Sequence, residues 1–282
     1  MIEAFLGLGS NVGDRAGHLK AAAQLLDETT GIWLREVSSI YRTAPVGKIE
    51  QEDFFNAVIR IETTLEPLDL LDRCLEIERS RGRERNERWG PRTLDIDLLL
   101  YGATEMNAPR LALPHPEIAK RAFVLVPLVE LQPEANIGSR VAVERLKELD
   151  VTGVEKLLPF QESQTVAIIG ASSKPERYSY QAQAMLESYG HSVIPVNPAT
   201  PVIRGTPARA NLEGYAGKLD TATLYVGPSR QSSVIEDLIR ARPKRVIFNP
   251  GTECSFTRDA LRESGIPFIE ACTLVMLRAE QF

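Results

Sequence analysis

The chain has 282 residues, 43% of them hydrophobic and 25% charged, with a formal net charge of −5; at roughly 150 residues per domain, that is length for two domains. No run of about 18 apolar residues free of charge occurs, which excludes a membrane-spanning helix, and the acidic balance argues against a general nucleic-acid binder. Cys74, Cys254 and Cys272 lie far apart with no CxxC pair, so neither a disulfide scaffold nor a cysteine-only zinc site can be built.

Ile2 to Gly9 reads as a short apolar strand ending in glycines. Its Glu3 and the lack of a basic cluster are the wrong pattern for a secretory signal, and the expected location is cytoplasmic. Asp14 to Glu28 reads as a helix with Leu19, Ala22, Ala23 and Leu26 on one face. Ile32 to Thr43 and Phe54 to Thr64, rich in β-branched and aromatic residues, read as strands. Pro67 opens a second helix at its first turn, with Leu68, Leu71, Cys74 and Leu75 as the expected buried stripe; Cys74 there is a packing residue. A strand over Thr93 to Tyr101 completes the order β, α, β, β, α, β, which predicts an α+β, ferredoxin-like domain.

Residues 138 to 160 are polar and read as weakly helical, and Gln161 to Gln164 lack apolar anchors. The expected boundary falls there, giving a first domain over 1–160, a linker over 161–164 and a second domain over 165–282. Charge changes across it. The first part holds 20 basic and 26 acidic side chains, and residues 161–282 hold 13 and 12. From Thr165, strands and helices alternate: strand TVAIIG, a helix with Ala182, Met185, Leu186 and Tyr189 on one face closed by Gly190, and strand HSVIPVNP. Further strands follow at Ala222 to Val226, Arg245 to Asn249 and Pro267 to Ala271, with helices near Val234 to Ile239 and Thr257 to Glu263. This pattern predicts an α/β, Rossmann-like, doubly wound parallel sheet.

The densest chemistry is RGRERNERWGPRTLDIDLL, residues 81 to 99. Side chains alternate along a strand, so Asp95 and Asp97 point one way and Leu94, Ile96 and Leu98 the other. Two converging carboxylates repel unless solvated or holding a cation, and hard oxygen ligands suit Mg²⁺ with substrate phosphates completing its shell; an acidic solvent face on an edge strand is the plain alternative. Arg83, Arg85, Arg88 and Arg92 precede the pair without a lysine among them, and arginine forks match phosphate oxygens at two points. A polyphosphate fits between arginines and carboxylates, although the interleaved Glu84 and Glu87 also suit a solvated loop, and an RNA-binding arginine motif is a third reading. Gly82, Gly90 and Pro91 mark a loop able to close over a nucleotide.

The string RWGPRTLDIDLL, with the opening GLGSNVGD, the segment YRTAPVG and DFFNAV, resembles the 6-hydroxymethyl-7,8-dihydropterin pyrophosphokinases of folate biosynthesis over residues 1 to about 160. The resemblance implies transfer of pyrophosphate from ATP to the pterin hydroxymethyl oxygen, with release of AMP. It implies that Asp95 and Asp97 hold two Mg²⁺ ions and that Arg83, Arg85 and Arg92 act on the charge that develops. Arg88, Arg92, Ile96, Arg110, His115 and Arg121 would contact ATP. Phe54 and Phe123 would sandwich the pterin and Asn56 its edge, beside Thr43, Ala44, Pro45 and Val46, with Asp95 at the reacting end and Trp89 in the closing loop. Read without the resemblance, His115 in LPHP is a turn histidine and the two phenylalanines are core. The glycines of GLGSNVGD also suit a dinucleotide site, but no acid ends the next strand at the place a ribose contact needs; with the resemblance, Gly9, Ser10 and Asn11 shape a strand end beside the pterin.

In VAIIGASSKPERYSYQ a buried strand turns into a helix, where amides and the helix dipole face an anion. The spacing is not GxGxxG, and the second strand ends in Asn197 and Pro198 where NAD needs an acid. With FNPGTE and IEACTLVML, this half resembles the CoA-binding domain related to succinyl-CoA synthetase α-subunits. The resemblance implies CoA contacts from Gly170, Ala171, Ser172, Ser173, Lys174, Arg177, Tyr178, Asn197, Asn249 and Gly251, and binding without turnover. Cys254 and Cys272 fall near the implied crevice, as packing residues or as thiols able to exchange with CoA. The leading expectation is a Mg²⁺- and ATP-dependent pterin pyrophosphokinase fused to a CoA-binding module, monomeric, with no nucleic-acid or membrane partner. The alternative is an inactive kinase scaffold whose CoA module is the working part.

Overall fold

A computed structural model of the chain describes residues 1–45, 51–83 and 90–282. It divides between Glu162 and Ser163 into two units.

The first unit contains β1 (Ile2–Ser10), α1 (Arg15–Asp27), β2 (Ile32–Val37), β3 (Ile40–Thr43), β4 (Phe54–Thr63), α2 (Pro67–Ser80) and β5 (Asp95–Tyr101). There follow β6 (Met106–Asn107) paired with β7 (Ala112–Leu113), α3 (Ala122–Leu131), β8 (Asn136–Ile137) paired with β9 (Arg140–Val141), α4 (Ala142–Leu146) and β10 (Val154–Leu158). The main sheet is antiparallel in the order β10-β3-β4-β1-β5, with β2 also on β4. Asp14 caps α1 by accepting from the Gly17 amide at 3.1 Å, and Pro67 opens α2, a position where a missing N–H costs nothing.

Alternation along β1 separates two cores. Ala4, Leu6 and Leu8 pack with Leu19, Ala22 and Leu26 of α1 and with Leu70 and Cys74 of α2. Phe5 packs on the opposite face with Val58, Leu99, Leu125 and Leu128 under α3. Past Phe5, β1 presents only Gly7 and Gly9 on that second face, and this bare stretch becomes the floor of the site.

Several expectations need correction. The strand expected over Ile32 to Thr43 is broken at Ser38 and Ser39, because the Ser38 hydroxyl accepts from Val58 N at 2.9 Å and Ser39 donates its amide and hydroxyl to Glu130. The buried stripe of α2 is Pro67, Leu70, Cys74, Ile77 and Glu78, with Leu68 exposed. Residues 138–160 are not merely a weak helix: Val154–Leu158 is a strand that closes one sheet edge against β3. Helix α3 escaped the sequence pattern because Pro127 lies inside it.

The second unit contains β11 (Thr165–Ile169), α5 (Tyr178–Ser188), β12 (Ser192–Val196), β13 (Val202–Ile203) paired with β14 (Thr206–Pro207), β15 (Thr221–Leu224), α6 (Ile235–Ala241), β16 (Arg245–Phe248), α7 (Ser255–Glu263), β17 (Phe268–Glu270) and α8 (Thr273–Arg278). Its five-stranded sheet is parallel in the order β12-β11-β15-β16-β17. Val166 and Ile168 pack with Leu186 and Leu277 on one face, and Ala167 and Ile169 pack with Leu224, Leu238 and Leu261 on the other. Burial on both faces explains why these strands read as continuous apolar runs. On α5 the buried face is Ser179, Ala182, Gln183, Leu186 and Glu187, and Tyr189 is exposed instead of packed. Helix α8 was not anticipated. Among the described residues no helix is long and apolar enough to cross a membrane.

Candidate active site and nucleotide crevice

The site of the first unit is written in the strand register. Gly7 pairs with Asp97 on one side and Val58 on the other, and Gly9 pairs with Asp95 and Asn56. Paired residues share a face, so two carboxylates and an amide flank a floor with no side chains of its own. A Cβ at Gly9 would lie 3.4 Å from Asn56 Oδ1 and 3.8 Å from Asp95 Cβ. Above the floor is a cavity of about 470 Å³ lined by Thr43, Ala44, Phe54, Asn56, Arg92, Asp95, Asp97, Arg121 and Phe123, within the size range of small-molecule sites.

Arginines surround the carboxylates. The Arg83 guanidinium donates to both Asp95 and Glu78, and Arg92 donates to the other Asp95 oxygen. Arg121 lies 3.6 Å from Asp97. Burial first, and then the charge of Asp95, pushes the Asp97 carboxyl up, with Arg121 opposing the shift. Glu78, buried on α2, also accepts the Ile96 amide at 2.8 Å, so one carboxylate fixes both Arg83 and the start of β5. Asn11 donates its backbone amide to Arg92 O at 3.1 Å and accepts the Arg92 amide on Oδ1 at 2.8 Å. The strand end thus holds the arginine in place.

Other expected residues fall elsewhere. The Ile96 side chain is core and only its backbone meets the site. Arg110 pairs with Asp72 on the surface and His115 lies outside the cavity lining, as does Pro45. Desolvation and Arg121 hold the His115 imidazole below its ordinary range, and its Nδ1 accepts the Glu117 amide at 3.2 Å. Val46, Arg85, Arg88 and Trp89 lie outside the described residues. Sequence reading missed Gln51, Lys120, Asp150 and Thr152, which also line the cavity; the last two sit in the polar segment before β10, which carries no motif to expose them.

The crevice of the second unit, about 1290 Å³, runs along the carboxyl ends of the strands, where open α/β sheets bind ligands at the reversal of strand order. Gly170 has φ +86°, and a Cβ there would come within 2.7 Å of Val226 Cγ1 and 3.1 Å of the Tyr225 carbonyl. Only glycine suits this close approach. The amides of Gly170 and Ala171 donate to Val196 O at 3.0 and 3.2 Å, so of the four turn amides expected to meet phosphate, those of Ser172 and Ser173 are left for it. Ser172, Lys174, Arg177, Tyr178 and Gly251 line the crevice; Ser173 is outside the lining.

Asn197 and Asn249 line it too, yet their side chains are engaged internally. Asn197 donates to Ala171 O at 2.7 Å and accepts from Ala199 N at 2.8 Å. Asn249 donates to Thr223 Oγ1 at 2.7 Å and accepts the Thr273 amide at 2.8 Å. They shape the loops. Cys272 lines the crevice and Cys254 does not. Tyr225, Arg230 and Arg278, absent from the sequence reading, also line it; all three follow a strand end or close the last helix, which is the positional signal that could have found them.

An arginine-ringed carboxylate pair beside a flat, bare floor is the site of an enzyme that transfers phosphoryl groups. Residues 5–133 match the family described as 7,8-dihydro-6-hydroxymethylpterin-pyrophosphokinase, and residues 164–278 match the CoA binding domain. A 2-amino-4-hydroxy-6-hydroxymethyldihydropteridine pyrophosphokinase of Methylorubrum extorquens is 46% identical over 157 residues, 56% of this chain and 99% of that one. The protein of the same name from Bacillus subtilis is 44% identical over 45% of this chain and 77% of its own length, and that from Haemophilus influenzae 40% identical over 56% and 100%. The chain belongs to the hydroxymethyldihydropterin pyrophosphokinase family and carries a CoA-binding domain after it.

Proposed function

We propose that residues 1–160 transfer the β,γ-pyrophosphoryl group of ATP to the hydroxymethyl oxygen of 6-hydroxymethyl-7,8-dihydropterin, releasing AMP, in folate biosynthesis. The observation that carries the reading is Asp95 and Asp97 beside the Gly7 and Gly9 floor, with Arg83 and Arg92 on Asp95 and Arg121 near Asp97. With β2 and β3 taken as the two halves of one broken strand, the order reduces to β-α-β-β-α-β, and with the antiparallel order β3-β4-β1-β5 it supports classing this domain as ferredoxin-like. Residues 161–164 form the linker and 165–282 the second domain of a monomeric, cytoplasmic protein in this proposal.

The flat pterin lies on the glycine floor between Phe54 and Phe123, since aromatic faces and few fixed polar groups suit a planar heterocycle. Asn56 gives its Nδ2 to Thr43 Oγ1 at 2.8 Å, which directs its carbonyl oxygen to a ring N–H. Asp95 and Asp97 fit divalent cations: they are hard oxygen donors on one face, and each raises the other's need for positive charge. When bound, Mg²⁺ supplies charge to the triphosphate and eases ionisation of the attacking hydroxyl. Arg83 and Arg92, already at Asp95, exchange carboxylate for phosphate oxygens, and Arg121 balances Asp97. His115, kept neutral with Nδ1 accepting, offers Nε2–H to a phosphate oxygen. Arg85, Arg88, Arg110 and Trp89 keep the roles that family membership implies.

The retained pair and its arginines favour this over an inactive scaffold. The test is AMP release from ATP in the presence of the pterin and Mg²⁺. Asp97→Asn is expected to lower it by about 10²- to 10³-fold, as loss of a transition-state charge partner does, with the circular dichroism unchanged; undiminished AMP release in that variant sinks the reading. For the second domain we propose binding of CoA or a related nucleotide at the Ser172 to Arg177 turn, without catalysis.

A further inference from the structure

Four cations line the crevice of the second unit: Lys174 and Arg177 at the turn into α5, Arg230 after β15, and Arg278 at the end of α8. Among the described residues none of the four makes an ion pair or a side-chain hydrogen bond. Elsewhere in the unit Arg204, Arg240, Lys244, Arg258 and Arg262 each meet a carboxylate, whereas Arg209, Lys218, Arg242 and Arg245 are scattered and do not line the crevice. Among the described residues the one acid lining the crevice, Asp237, is held by Arg240 at 3.4 Å. Four uncompensated positive charges around one opening point to a ligand with several negative charges.

They are not all on one side. Helices α5 and α8 share the core that contains Leu186 and Leu277, so Lys174, Arg177 and Arg278 edge that face of the sheet. Arg230 adjoins Val234 and Ile235, which pack in the core of the opposite face. Its side chain is exposed, and the backbone that carries it is fixed. The next residue, Gln231, is fully buried and donates Nε2 to Val226 O at 3.0 Å and to Thr252 O at 2.5 Å, tying its short helical turn to the loops after β15 and β16. A crevice of about 1290 Å³ exceeds the ~300–1,000 Å³ of ordinary small-molecule pockets, leaving length for a ligand that reaches from the turn to the far wall.

We infer that Arg230 receives a second phosphate, a phosphomonoester separate from the pyrophosphate seated at the turn, and that the crevice therefore selects CoA over 3′-dephospho-CoA. The inference rests on the CoA reading above. A phosphomonoester carries about −1.5 to −2 charge at pH 7, and the arginine fork meets it at two points. The same group occurs on the ribose of NADP⁺, so that nucleotide is a required comparison.

The test is calorimetric titration of the full chain with CoA, 3′-dephospho-CoA and NADP⁺, in wild type, Arg230→Gln and Lys174→Gln. CoA is expected to bind wild type about tenfold or more tightly than 3′-dephospho-CoA. Arg230→Gln removes that preference and leaves 3′-dephospho-CoA binding unchanged, whereas Lys174→Gln weakens both alike. Equal weakening of both CoA forms by Arg230→Gln, no effect of it on either, or NADP⁺ binding as tightly as CoA overturns the assignment of Arg230. Failure of both CoA forms to bind wild type overturns the CoA reading itself.

Discussion

At the scale of single residues, the pair Asp95 and Asp97 was legible because strand alternation alone puts both on one face. What no pattern exposed is the use of Glu78, an acid buried on a helix, to hold Arg83 and the Ile96 amide together. His18 is a second hidden feature. Its Nδ1 lies 3.2 Å from Arg81 Nη2, and burial, with Arg81 adding to it, lowers its pKa from 6.5 to about 4. The folded state holds the neutral imidazole, so the unfolded chain takes up the proton first as pH falls. His18 therefore supports the fold fully above pH 6.5 and withdraws that support as pH falls toward 4, a loss of about 3 kcal/mol. Urea midpoints between pH 7.5 and 4.5 check this: His18→Asn, which keeps an acceptor and cannot titrate, is expected to show a shallower acid decline than wild type. Parallel declines would exclude His18 as the source.

Elements whose cores lie on one face were read well, and those with a local contradiction were not. Asp14 and Pro67 marked helix starts correctly, whereas Pro127 disguised α3 and the serine pair at 38 and 39 broke a strand that composition alone made continuous. The α2 stripe was misplaced by about one position because Leu68, Leu71 and Leu75 compete with Leu70 and Ile77 for the same helical pattern. Asn197 and Asn249 were recognised as crevice residues, but their side-chain partners come from neighbouring strands and loops, beyond the reach of local sequence. The strand-to-helix turn after β11 is the element on which the second site depends. Gly170→Ala is expected to destabilise the second unit by about 1–3 kcal/mol, through a strained positive φ and the Val226 contact, and to weaken CoA binding. Thermal unfolding and titration measure both; an unchanged melting temperature would contradict the close approach.

For the whole molecule, each of the four hydrophobic clusters among the described residues lies within one unit, which is the expectation for domains that fold separately. The chain ending at Glu162 is expected to fold and to release AMP within about twofold of the full chain's rate. Loss of folding or activity in that shorter chain would make the second unit part of the kinase. The two-unit organisation was legible from the change in texture at Thr165, while the closing strand β10 was hidden in a polar stretch.

The most direct measurement follows both products by phosphorus NMR, with ATP, the hydroxymethyl pterin and Mg²⁺ on the full chain. Equal amounts of AMP and pterin diphosphate, both absent with Asp97→Asn, are the predicted result. ADP with a pterin monophosphate, or no pterin-dependent turnover at all, would contradict pyrophosphoryl transfer at the Asp95 and Asp97 site.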